Sequence, residues 1–197
     1  MSHPTELLNL AVELQPIIIE ALCKDDILNF RLTCRFVNKL CTPFVFTRIV
    51  EEMKGPEFKG LYLHKAATTC SHELISVLLE YQPPLNCRNK AGETALHVAS
   101  QKGCIDCVES LAHAGADLSV VSRRGWTPLM LAARHGNSTV AGALLRLGAD
   151  PNIRGFHGWT ALHLAQQFDR RDIVGLLKEA GADGSIADNG GSKAGEV

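Results

Sequence analysis

The sequence predicts an all-α solenoid of about four stacked helical hairpins, and three observations predict it. First, identities recur every 33 positions: Gly92, Gly125 and Gly158; Thr94, Thr127 and Thr160; Leu96, Leu129 and Leu162; Ala99, Ala132 and Ala165; Asp117, Asp150 and Asp183. A period of this length belongs to repeated supersecondary units, not to one mixed core. Second, each period opens on a helix start. Thr94, Thr127 and Thr160 are capping residues, and Pro128 suits a first turn, where its missing N–H costs nothing. Third, each period holds two apolar helical stretches. Gly103 or Gly136 suits the left-handed residue that ends the first, and Gly115 or Gly148 stops the second. No such unit buries both faces alone, so the units stack.

The elements follow in chain order. Residues 1–56 read as a three-helix unit. Leu14, Ile18 and Leu22 share one helical face, and Asp25 or Asp26 caps a second helix with Ile27, Leu28, Phe30 and Leu32. A third runs through Arg35, Val37 and Leu40 and ends before Pro43. The repeats fill 57–187, as units at 58–90, 91–123, 124–156 and 157–187. Residues 188–197, rich in Gly, Ser and Asp, are expected to form a flexible tail.

The repeated segment Gly-x-Thr-Ala/Pro-Leu-His-x-Ala, at 92–99 and 158–165, with Met130 in place of His at 125–132, resembles the ankyrin repeat. Leu63, His64, Ala66, Leu78 and Leu79 mark a more degenerate first copy. Ahead of it, Leu10-Ala11-Val12-Glu13-Leu14, Asp26-Ile27-Leu28 and Arg31-Leu32-Thr33-Cys34-Arg35 resemble an F-box, as fused to ankyrin repeats in many fungal proteins. Ala11 stands where that family usually has proline. The resemblance implies an adaptor in which the F-box-like unit docks a Skp-type protein of a cullin–RING ubiquitin ligase and the repeats recruit a substrate. Leu10, Leu14, Ile18, Leu22 and Ile27 are then the docking residues. The alternative for the same unit is a cap on the open end of the first repeat.

Composition narrows the function. The formal net charge of -1 implies no general attraction to nucleic acid or membrane. No apolar run reaches the roughly 20 residues of a spanning helix, and Met1–Leu10 lacks the order of a signal peptide. Seven cysteines, an odd set, read as reduced thiols in an intracellular protein, cytoplasmic or nuclear. Cys104 and Cys107 are spaced as C-x-x-C, but no second pair exists, so both are read as residues of a repeat helix rather than a redox or zinc pair.

Recognition is expected on the inner face. Trp126 and Trp159 share a loop column, and Arg134, His135, Gln167 and Phe168 end the first helices. Arg123, Arg124 and Phe156 lie at loop tips. Aromatics beside arginines are the usual material of binding hot spots. His64, His97 and His163 occupy the repeat's own His column and are expected to hold neighbouring loops. His135, His157 and Arg134 are weak catalytic candidates, because no column calls for them. No nucleotide loop, zinc framework or nucleophile motif is present, so no cofactor or metal is expected. The sequence favours a protein partner. A plain ankyrin scaffold or inhibitor is one alternative. Another is a small apolar ligand, or a cofactor-free cyclase or isomerase using the groove.

Overall fold

The computed structural model describes residues 56–80 and 82–194. The F-box-like unit expected at the N-terminus, with Leu10, Leu14, Ile18, Leu22 and Ile27, falls outside the described residues.

The described chain forms four helix pairs: α1 (Pro56–Thr68) with α2 (His72–Glu80), α3 (Ala95–Lys102) with α4 (Ile105–His113), α5 (Pro128–His135) with α6 (Ser138–Arg146), and α7 (Ala161–Gln167) with α8 (Arg171–Glu179). A single 3₁₀ turn spans Phe156–Gly158. The first helices stack in one row, α1 on α3 on α5 on α7, and the second helices in another, α2 on α4 on α6 on α8. Among the described residues there is no strand, only an isolated bridge between Ala187 and Lys193. No described helix is long and apolar enough to cross a membrane.

Local chemistry sets each helix. The Thr94 hydroxyl accepts the His97 N–H, the Thr127 hydroxyl accepts the Met130 N–H at 3.2 Å, and Thr160 caps α7 with His163. Pro128 takes the first turn of α5. Helices α3, α5 and α7 bury nearly every residue of their first two turns. Leu96, Ala99, Leu129, Ala132, Leu162 and Ala165 are all sealed from water. The outer helices contribute one stripe each, such as Val108 and Leu111, or Val140 and Leu144. Small residues at the Ala columns let neighbouring backbones approach, so one continuous core runs through all four pairs.

Between pairs, the loops make a second stack of turns. Asn89 N–H donates to the Glu93 carbonyl, Ser122 to Trp126, Gly155 to Trp159 and Asp188 to Ser192, all within 2.8–2.9 Å. The fourth of these lies in the segment expected to be a flexible tail. Here the structure differs. Residues 188–194 repeat the turn 33 positions after Gly155–Thr160, and Ala194 is buried. The Asn189 N–H donates to the His157 carbonyl at 2.7 Å, repeating the bond from Arg123 N–H to the Ala91 carbonyl at 3.0 Å. Gly191 continues the column of Gly92, Gly125 and Gly158, and stands at φ +86°. The Gly/Ser/Asp composition that suggests a tail is equally the composition of a turn.

These turns press on one another closely. Gly125 sits at φ +77°, and a Cβ there would land on the Phe156 backbone nitrogen. Gly125→Ala is therefore expected to cost about 2 kcal/mol, from left-handed strain plus the displaced loop. A fall in the urea midpoint checks it; an unchanged midpoint would refute the close approach.

The cysteines also depart from expectation. Cys70 and Cys104 are joined as a disulfide, with Cα atoms 5.5 Å apart, a spacing ordinary for such bonds. Cys70 ends α1 in the left-handed region (φ 51°), in the column that holds Gly103 and Gly136 in later repeats. Cys104 is the N-cap of α4, ahead of the helix rather than on it. In the next repeat the same contact is made by Asn137, which lies against Gly103 and donates to the Ser100 and Gln101 carbonyls at 2.8 and 3.0 Å. The stacking that brings these columns together brings the two sulfurs together. Cys107 is a separate matter: it fills a core position of α4, and burial pushes its thiol up to about 11. The C-x-x-C spacing thus joins a bonded cysteine to an inert one.

Candidate recognition surface

The His column works as the sequence implies. His64 Nε2 donates to the Glu93 carbonyl at 2.7 Å, His97 to Trp126 at 3.0 Å and His163 to Ser192 at 3.3 Å. Each ring thus clasps the loop of the following repeat. At Met130 the sulfur accepts the Thr127 N–H at 3.5 Å instead. Burial lowers the pKa of His97 to about 4, so its ring is neutral at pH 7.

Several of the expected contact residues converge. The Arg134 guanidinium lies 4.5 Å from the centre of the Trp126 ring and 5.4 Å from that of Phe168, bridging two repeats. Arg124 lies 5.9 Å from the same indole. These are cation–π distances. Trp126 itself is half-buried against the core. Phe156 (58%) and Phe168 (39%) are the exposed large hydrophobics among the described residues.

Other expected residues have structural work. The Trp159 indole N–H donates to Asp188 Oδ2 at 3.2 Å, and its ring packs on the core. It secures the fourth turn and does not join Trp126 as an open pair. The Arg123 guanidinium donates to the Lys90 carbonyl at 2.8 Å and its stem crosses Gly92. Arg88 and Arg154, also at loop tips, donate to the Val121 and Ala187 carbonyls, each one repeat further on. His157 is exposed at φ 62°, shaping the 3₁₀ turn, and Gln167 is exposed at the end of α7.

His135 is exposed at the end of α5. Partial desolvation lowers its pKa, and so do three neighbouring cations, Arg134, Arg170 and Lys102. The sequence places Lys102 in one column with His135 and Phe168, but does not bring Arg170 to this cluster. Lys102 stands in the last turn of α3, where a cation is favoured, whereas Arg170 is the N-cap of α8 and carries no such signal. Among the described residues, no group of three or more His, Cys, Asp or Glu side chains is placed to hold a metal ion.

Comparison with curated proteins finds no match to this chain. A family model described as Ankyrin repeats (3 copies) matches residues 44–122 and 115–188, well over half of the sequence. With four stacked helix pairs, three of them opened by a threonine cap, and a His ladder clasping successive loops, the chain belongs to the ankyrin-repeat family.

Proposed function

We propose that the repeats form a protein-recognition module whose contact surface centres on Trp126, Arg134 and Phe168, with Arg124, His135, Phe156 and Gln167 around them. The observation that carries this reading is the Arg134 side chain held between two aromatic rings of successive repeats. Such a stack spends interaction energy on fixing surface side chains, and pre-fixed aromatic and arginine groups are what binding hot spots require. Ankyrin arrays typically bind proteins. Trp159 and Arg123 act in this reading as supports for the loops beside the surface.

Phe168→Ala is expected to weaken partner binding by about ten-fold, while the melting temperature stays within about 1 °C, because the ring is exposed and outside the core. Calorimetric titration with the partner and a thermal melt check the two halves. Unchanged affinity would remove this surface from the interface.

The finer reading adds the N-terminal unit. Its Arg31-Leu32-Thr33-Cys34-Arg35 pattern supports docking to a Skp-type adaptor through Leu10, Leu14, Ile18, Leu22 and Ile27, which makes the protein a substrate-recruiting adaptor of a ubiquitin ligase. Retention of the full chain on an immobilised Skp adaptor tests this half, and loss of retention in Leu14→Asp is the expected control. No retention would leave the repeats as an interaction module without that link.

A further inference from the structure

The recognition surface carries charge of one sign. Three groups bear electrostatically on His135: Arg134 from the same helix end, Lys102 from the end of α3 and Arg170 ahead of α8. All three are cations, drawn from three successive repeats. The helix dipole accounts for Lys102 and Arg134, in the last turns of α3 and α5, but not for Arg170, the N-cap of α8. It does not account for a group of cations with no carboxylate set among them. The carboxylate closest in sequence, Asp169, pairs with Arg171 at 3.1 Å, and the charged groups that bear on His135 include no carboxylate. Two of the cations are also held in place. Arg134 lies between its two rings, and the Arg170 stem lies over Gly136, with Nε 3.0 Å from where a Cβ would stand. The cluster is local, since the whole chain has a formal net charge of -1.

We propose that this surface takes an acidic peptide segment of a partner protein. Its carboxylates would pair with Lys102, Arg134 and Arg170 and accept a hydrogen bond from His135, and an apolar side chain would lie beside Trp126 and Phe168. The inference rests on the reading of the repeats as a protein-recognition module and adds the chemistry of what they recognise. Complementary charge at the edge of an aromatic anchor gives orientation and speeds encounter, and it makes binding salt-dependent. A nucleic acid would need an extended basic track, which the sequence lacks.

The test selects binders to the full-length protein from a random-peptide display library and measures the recovered peptides, fluorescently labelled, by anisotropy. Recovered peptides are expected to be rich in Asp and Glu with one aromatic or aliphatic residue. Arg134→Ala with Arg170→Ala should weaken them about ten-fold or more, while Arg146→Ala on α6, an exposed cation paired with Glu109 at 3.9 Å, should leave affinity unchanged. Raising the salt should weaken binding to the wild-type protein, a readout independent of how the variants fold. Neutral or basic peptides whose binding is lost in Phe168→Ala would overturn the acidic partner and leave the recognition surface standing. Peptides indifferent to every one of these variants, or none recovered, would overturn both. Tighter binding of labelled oligo(dT) than of the acidic peptides at equal salt would overturn the proposal in favour of a nucleic acid.

Discussion

Acidification from pH 7 to pH 4 is expected to remove about 3 kcal/mol of folding stability through His97 alone. The ring is fully buried. Its Nδ1 accepts the Thr94 N–H at 3.1 Å, and its Nε2 donates to the Trp126 carbonyl at 3.0 Å. The first bond requires the neutral ring; the second survives protonation and opposes the effect of burial on the pKa. Desolvation by burial, the largest cause, lowers the pKa from 6.5 to about 4. In the unfolded chain His97 takes up its proton near pH 6.5; in the folded protein it does so only near pH 4. Between those values the unfolded state binds more protons, so stability rises with pH across that window. The contribution is complete above about pH 6.5, declines as the pH falls through it, and levels off below about pH 4. Urea denaturation at several pH values, on the wild type and on His97→Gln, isolates the effect as the difference between two slopes. His97→Gln should also lose about 1–3 kcal/mol at pH 7, because its amide can still accept the Thr94 N–H, as in a capping box, but then leaves the Trp126 carbonyl without its donor. Parallel slopes in the two proteins would show that His97 does not titrate as its surroundings dictate.

The second large effect is expected from reduction. Cys70 and Cys104 close a loop of separation 34, and constraining the unfolded chain over that length is worth about 3–4 kcal/mol in the loop-entropy account. The loss should fall on the first helix pair, since the bond ties the end of α1 to the start of α4 and leaves the later repeats untouched. Reductant and Cys104→Ser should lower the urea midpoint equally, with no further loss when combined. Amide exchange should rise first in residues 56–80. Complete alkylation of Cys70 and Cys104 in the native, unreduced protein would show that no such bond stabilises it.

Much of the architecture was legible from the chain, for physical reasons that particular residues illustrate. Thr127-Pro128-Leu129 can hardly be anything but a helix start, because hydroxyl, fixed φ and first apolar contact all fall in place. The His ladder was readable for the same reason: His97 and His163 recur where one ring must serve both its own cap and the next loop. The surface was harder to read. Trp126 and Trp159 share a column and read as equals, yet Asp188 captures one indole and Arg134 stacks on the other. Asp188 arrives from the turn ahead and Arg134 from the same repeat as Trp126, and a column of identities contains neither. The fourth turn and the disulfide were missed differently. Gly191 sits on the period and Cys70 sits in a glycine column, but composition spoke for a tail and an odd cysteine count spoke for thiols. In both cases the positional signal outweighed the compositional one.

The clasp of each ring on the loop ahead has a consequence for how such a molecule can change. Every joint of this kind is a bond to a main-chain carbonyl, indifferent to the side chain that carries it. A module can therefore be duplicated, lost or exchanged whole without inventing new joinery, and length becomes cheap to vary. The sulfur bridge is the exception. It needs a specific residue on both sides, and so it fixes which module stands second.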